Sequence, residues 1–182
     1  MEFTFVPKRL IKEKEDIVLI HDNVGTPHIS RQDDSLRELI ERLTGLELYQ
    51  VRKTANTLTE KEFVLNFTPH LVPMNRGILA TCYAKLTDSF SYDDVRSVYE
   101  KEYGDEFFIR LKDKGTFPET RWVEGSNFVD IGFTVDDRTG RVVVVGALDN
   151  MVKGAAGQAV QNMNLLFSID EKEGLMIPPV FP

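Results

Sequence analysis

Apolar positions recur along this chain with two different periods, and each change of period marks an element. The clearest helical stretch lies at residues 35–45. Ser35 and Glu38 form a capping box, Leu36, Leu39, Ile40 and Leu43 share one helical face, and Gly45 stands where a C-terminal cap belongs. Before it, 'DIVLIH' (16–21) is a short apolar run read as a strand and ended by the turn-rich 'DNVGTP'. After it, 'LELYQVRK' (46–53) reads as a strand and the polar 'TANTLTEKE' (54–62) as a linker or exposed loop.

From residue 63 onward the pattern is dominated by strands. 'FVLNF' (63–67) leads into the proline-bracketed 'TPHLVPMNRG', read as a loop, and then into the strand 'ILATCYAKL' (78–86). A second helix follows from 'SYDDVRSVYEKEYG', with Ser91 or Asp93 as its cap, Val95, Val98 and Tyr99 inward, and Gly104 as its stop. 'FFIRL' (107–111) is another strand. 'NFVDIGFTV' and 'RVVVVGAL' are joined by 'DDRTG' (136–140), a hairpin signal in which Gly140 can take a positive φ. Strands joined by hairpins, with helices between and after them, predict an α+β fold: a mainly antiparallel sheet covered by helices.

The last periodic stretch, 'DNMVKGAAGQAVQNMN' (149–164), is unusual. Met151, Val152, Ala155, Ala159, Val160 and Met163 make one apolar stripe, yet no charge follows Lys153 until Asp170, and the middle is Gly154, Ala155, Ala156, Gly157. A glycine inside a helix costs about 1 kcal/mol relative to alanine, so two of them three apart call for close backbone approach by a neighbour. The neighbour is another element of the chain or a flat ligand, and periodicity does not choose.

Composition narrows the function. With 182 residues and 42% hydrophobic content the chain can bury one sizeable core. The balance of 22 Lys+Arg against 29 Asp+Glu gives a net charge of -7 without a basic cluster, which excludes nucleic acid as an expected partner. A single cysteine forbids an internal disulfide, no Cys/His spacing suits zinc, and no metal site is expected. The N-terminus lacks an apolar signal core, and no run reaches the roughly 18 residues of a membrane span, so the expected place of work is the cytoplasm.

Two stretches carry a family resemblance: 'NFTPHLVPMNRGILATCYA' (66–84) and 'GSNFVDIGFTVDDRTGRVVVVGALDNMVKGAAGQAVQNMNLLF' (125–167), with the ending 'GLMIPPVFP'. Together they closely resemble the C-terminal, substrate-binding and oligomerisation part of N-acetyl-gamma-glutamyl-phosphate reductase. That arginine-biosynthesis enzyme is related in fold to the glyceraldehyde-3-phosphate and aspartate-semialdehyde dehydrogenases. The resemblance divides the chain into residues 1–62, unmatched, and 63–182, a reductase C-terminal-like domain. It implies reduction of an acyl phosphate to an aldehyde by a cysteine thiolate and NADPH through a thioester, with a histidine as acid and base. It also implies an oligomer.

The sequence departs from the family pattern where the chemistry lies. No GxGxxG follows a strand, so there is no Rossmann fingerprint, and both the Asn-Pro-Gly-Cys type nucleophile motif and the His-x-His-Thr-Pro-Glu-Ile type motif are missing. Cys82 lies in an apolar run without a histidine or helix start beside it and is expected to be an inert buried thiol. No residue is assigned a catalytic role. His21 and His28 are expected to be structural. His70 and Arg76, flanking the 'TPHLVPMNRG' loop, are the substrate-binding candidates, His70 alternatively being a loop histidine satisfied by backbone. By the resemblance, Asn150, Lys153, Gly154 and Gly157 belong near the nicotinamide end of NADP, although tight binding by this chain alone is not expected. Two classes of function remain: a reductase domain that needs a Rossmann domain, for which a separate chain is one source, or a non-enzymatic binding or assembly module. A truncated or chimeric chain is the third reading.

Overall fold

The computed structural model describes residues 17–24 and 65–180. The expected helix at 35–45, the strand at 46–53 and the linker that follows lie outside these residues. The described strands are β1 (Ile17–Val24), β2 (Leu65–Val72), β3 (Ile78–Lys85), β4 (Ile109–Leu111), β5 (Val129–Asp136) and β6 (Arg141–Leu148). The helices are α1 (Tyr92–Tyr103) and α2 (Gly157–Leu166), the latter preceded by a wide π turn, Val152–Ala156. The six strands form one sheet in the order β2-β1-β3-β6-β5-β4. Three of its five ladders are antiparallel, while β1–β2 and β4–β5 are parallel, which is the mainly antiparallel α+β sheet that the pattern predicts.

The β5–β6 hairpin forms where expected. Asp136 pairs with Arg141, the Asp136 carboxylate accepts from Arg138 N–H (3.0 Å) and the Thr139 hydroxyl (2.9 Å), and Gly140 adopts φ +63°. α1 also follows the reading. Ser91 is its cap, and a capping box joins Ser91 and Asp94 in both directions.

Two boundaries are corrected. β1 continues through Asp22 and Asn23, expected to be a turn, because it is paired on both sides, with β2 at Asn23↔Leu71 and with β3 at Asp22↔Leu79. Ladders on both edges outweigh local turn preference. The segment expected to be a loop around His70 is strand as far as Val72. Among the described strands β2 ends the sheet order, and an edge strand is where a proline such as Pro69 is tolerated.

The two faces of the sheet differ. Ala80, Cys82 and Ala84 alternate with outward positions along β3, and the register sets them beside Val142 and Val144 of β6 and Ile131 and Phe133 of β5. α1 packs on this face through Val95 and Tyr99, both fully buried, and the Tyr99 ring stacks on Phe133 at 4.7 Å. The opposite face carries Thr81 and Tyr83 of β3, Val143 and Val145 of β6, all half-buried, and the exposed Thr134 of β5. At its β5 end this second face is covered by a loop: a Cβ at Gly132 would lie 2.6 Å from the Thr116 carbonyl oxygen.

Candidate functional site

Because β3 begins opposite the end of β6, Ile78↔Leu148, the residues just before β3 and just after β6 meet at one end of the sheet. Asp149 is the centre of that meeting. Its fully buried carboxylate accepts from the Gly125 N–H (2.7 Å), from Met151 and Val152 N–H at the start of the π turn (2.8 Å each), and from the Arg76 guanidinium (2.9 and 3.2 Å). Burial alone would raise the Asp149 carboxyl. The N–H donors of Gly125, Val152 and Met151 and the Arg76 guanidinium outweigh it and hold the group below the usual carboxylate range. One carboxylate thus ties the β2–β3 loop, the turn at Gly125 and the start of the last helical segment together.

This places the expected site residues. Arg76 is paired with Asp149, its side chain 35% exposed. Asn150 Oδ1 accepts from Gly77 N–H at 2.8 Å, a second tie between the same two loops. His70 is exposed on edge strand β2 rather than in a loop, with Nδ1 3.1 Å from the Thr68 carbonyl. Gly154 is exposed in the π turn beside the equally exposed Ala155 and Ala156, its backbone N–H donating to the Asp149 carbonyl at 2.8 Å. Lys153 and Gly157 face inward. A Cβ at Gly157 would collide with Asn127 Oδ1 and lie 2.8 Å from Val152, so close approach is what this glycine serves.

The helix itself requires a correction. The apolar stripe does not face the protein: Met151, Ala155, Ala159 and Met163 are exposed and Val152 and Val160 only half-buried. The buried residues are Lys153, Gly157, Gln161 and Asn164. These four, spaced four, four and three apart, share one helical face, the one opposite the apolar stripe, and it is this face that turns inward. They are satisfied by one another and by the chain around them. Lys153 Nζ donates to Gln161 Oε1 (2.7 Å), Asn127 Nδ2 donates to the same oxygen (3.0 Å), and Gln161 Nε2 donates to Glu171 (2.8 Å). Asn164 Nδ2 donates to the carbonyls of Glu171 and Glu173. Burial pushes the Lys153 ammonium below the usual lysine range, opposed by Glu171 and Glu106.

The outer side and the residues that follow are apolar. Leu166 is 82% and Phe167 73% exposed, with Met163, Leu165 and Ile169 beside them in sequence, and Met176, Ile177 and Val180 in the tail are exposed as well. The tail is fastened at the other end of the same region by Val180 N–H to the Glu124 carbonyl, 2.9 Å.

The sequence reading passed over Asp149 as a hub, although an aspartate directly before a helical run is a capping signal. It also passed over Gln161, Asn127 and Glu171, whose meeting depends on the fold and leaves no local signal. Cys82 is buried on the α1 face, and burial pushes its thiol up to about 12, so it is neither ionised nor accessible as a nucleophile. Among the described residues no group of three His, Cys, Asp or Glu could hold a metal ion, and no helix is long and apolar enough to cross a membrane.

Comparison with known proteins gives the chain its relatives. N-acetyl-gamma-glutamyl-phosphate reductase of Lachnoclostridium phytofermentans is 55% identical over 133 residues, covering 73% of this chain and 38% of that protein. The enzyme of the same name from Lachnospira eligens is 64% identical over 118 residues, covering 65% of this chain and 34% of the relative. The chain therefore spans little more than a third of the length of these relatives. Among solved structures, aspartate semialdehyde dehydrogenase II of Vibrio cholerae shares the fold at TM-score 0.62 and 17% identity, over 85% of this chain and 55% of that one. The family description "Semialdehyde dehydrogenase, dimerisation domain" matches residues 48–150, and the chain belongs to that family.

Proposed function

We propose that this chain serves as the dimerisation and substrate-side domain of an N-acetyl-gamma-glutamyl-phosphate reductase, an NADP-dependent oxidoreductase of arginine biosynthesis working in the cytoplasm. The observation that carries the reading is the inverted helix α2. A helix that buries Lys153, Gln161 and Asn164 and exposes Leu165 and Leu166 is fixed to its own domain by polar ties and offers its apolar side to another body. The sheet face carrying the half-buried Tyr83, Val143 and Val145 is the surface proposed to meet a second copy. A cofactor-binding Rossmann domain is the body proposed for α2, whether on the same polypeptide in a longer protein or on a separate chain.

Within this reading Arg76 is the substrate-side cation, held in place by Asp149, and His70 lies on the neighbouring edge strand. When bound, the cofactor in its reduced form, NADPH, would supply hydride to the family's reaction. Of the residues expected near it, Gly154 stands on the outer side of the π turn and Asn150 at its foot. Lys153 and Gly157 do not fit a direct contact, since both are buried beneath the turn; they are proposed to shape the turn instead. With Cys82 buried and un-ionised, no thioester step is assigned to this chain's own residues.

The test is to add the separately produced cofactor-binding domain of the Lachnoclostridium phytofermentans relative and to assay NADPH-dependent acyl-phosphate reduction. The chain alone is expected to show no turnover, and the mixture to form a complex that Leu166→Ser with Phe167→Ser abolishes. Turnover by the chain alone that Cys82→Ser removes would overturn the assignment. A stable dimer that fails to recruit the cofactor domain would favour the non-enzymatic assembly module.

A further inference from the structure

The sheet face that carries Tyr83, Val143 and Val145 is not level. At its β5 end the chain that follows β4 rises over it as a ridge. Lys112 N–H donates to the Ile131 carbonyl (2.8 Å), Thr116 N–H closes a turn onto the Asp113 carbonyl (2.9 Å), and Pro118 is buried. Arg110 pins the base, donating from Nε to Asp130 Oδ1 (2.6 Å) and from Nη2 to the Trp122 carbonyl (2.9 Å). Gly132 admits the ridge, because a Cβ there would lie 2.6 Å from the Thr116 carbonyl oxygen and 3.3 Å from Phe117 Cα. The Phe117 side chain is 43% exposed.

The register places the rest of the face relative to this ridge. One row crosses the sheet through Gly132 of β5, Val145 of β6, Thr81 of β3, Ile20 of β1 and Thr68 of β2. Thr81 and Val145 are half-buried, and Thr68 is exposed, as is His70 two positions further along β2. β3 and β6 are the middle two of the six described strands.

An identical copy seated on this face makes an isologous pair whose two-fold axis lies in the plane between the two sheets. With that axis across the strands, β5 would face β5 and ridge would meet ridge. Facing sheets pack about 10 Å apart, which leaves room for one such layer and not for two, so Tyr83, Val143 and Val145 would be held out of contact. With the axis along the strands, between β3 and β6, each row faces its own counterpart with the strand order reversed. The ridge of each copy then stands over the β1–β2 end of the other, and the apolar middle closes.

We infer, on the reading that a second copy meets this face, that Phe117 of each copy seats on the β1–β2 end of the other, beside Thr68, and that His70 lies at the boundary between the subunits.

Crosslinking tests the direction of the axis. Within one copy β5 and β2 are four strand spacings apart, roughly 19 Å, too far for a short bismaleimide to bridge. Cys82 is buried with an un-ionised thiol and does not compete for the reagent. Thr68→Cys with Phe117→Cys is expected to give a linked dimer, while each single variant stays unlinked. A linked dimer from Phe117→Cys alone would put the axis across the strands and overturn the inference, as would a dimer by mass in which the double variant fails to link. A parent of single mass would instead remove the second-copy reading and this arrangement with it. Phe117→Ser gives a second readout: the dimer dissociation constant is expected to rise about tenfold or more, with the fold of the single chain unchanged. An unchanged constant would equally overturn the inference.

Discussion

α1 and α2 are helices of similar length that solve opposite problems. α1 turns Val95 and Tyr99 to the sheet and its charged residues to water, so its hydrophobic pattern is answered within the described chain. α2 turns Gln161 and Asn164 inward and Met163, Leu165 and Leu166 outward. Both patterns are amphipathic, yet only one describes the helix's relation to its own domain. The difference teaches that a polar inner side can hold a helix when each buried group is paired, as Lys153, Gln161 and Asn164 are, leaving the apolar side for a partner.

The contrast breaks most plainly at single large side chains. Tyr99→Ala should cost about 3–5 kcal/mol, because it removes a fully buried ring stacked on Phe133. Leu166→Ala, in the chain by itself, should change stability by less than about 0.5 kcal/mol. Chemical denaturation of both variants decides it, and a large loss at Leu166 would mean that α2 is already covered.

A smaller effect is expected at the polar anchor. Asp149→Asn turns an acceptor at which backbone N–H groups converge into a partial donor and breaks the Arg76 pair. The loss should be about 3 kcal/mol, at the low end for a buried pair because Arg76 is 35% exposed. Since the folded-state carboxyl is held below its unfolded value near 3.9, its contribution is present above about pH 4 and lost as pH falls through the lower folded value. The variant should therefore lose less stability than the parent over that acid range. An equal loss would show that Asp149 is not the group responsible.

Gly157 sharpens the comparison further. Alanine is the better helix former by about 1 kcal/mol, but its Cβ would meet Asn127 and Val152, so Gly157→Ala should still destabilise by about 1–3 kcal/mol and Gly157→Leu by more. A stabilised alanine variant would mean that the inner side of the turn is open.

Much of this was legible in the sequence where the physics is local. The Ser91 capping box and the Asp136 to Gly140 turn are written in neighbouring residues, and both form as read. The extents of β1 and β2 were not, since Asp22 and Pro69 carry turn signals that only their positions in the sheet override. The stripe on α2 was read correctly as a stripe, but periodicity says that a helix has two sides and not which one meets its own core. Arg76 was read as a substrate-side cation and Asn150 as a cofactor-side residue by resemblance; the ties to Asp149 and to Gly77 were not legible because each spans 73 positions of sequence.

The central claim is the proposal that the sheet face carrying Tyr83, Val143 and Val145, unlike the outer side of α2, meets a second copy of this chain. Light scattering on the chain at high micromolar concentration measures this directly, with Val143→Glu as the face-specific variant beside it. The account predicts twice the chain mass for the parent and a folded species of single mass for Val143→Glu. A parent of single mass at that concentration would contradict it.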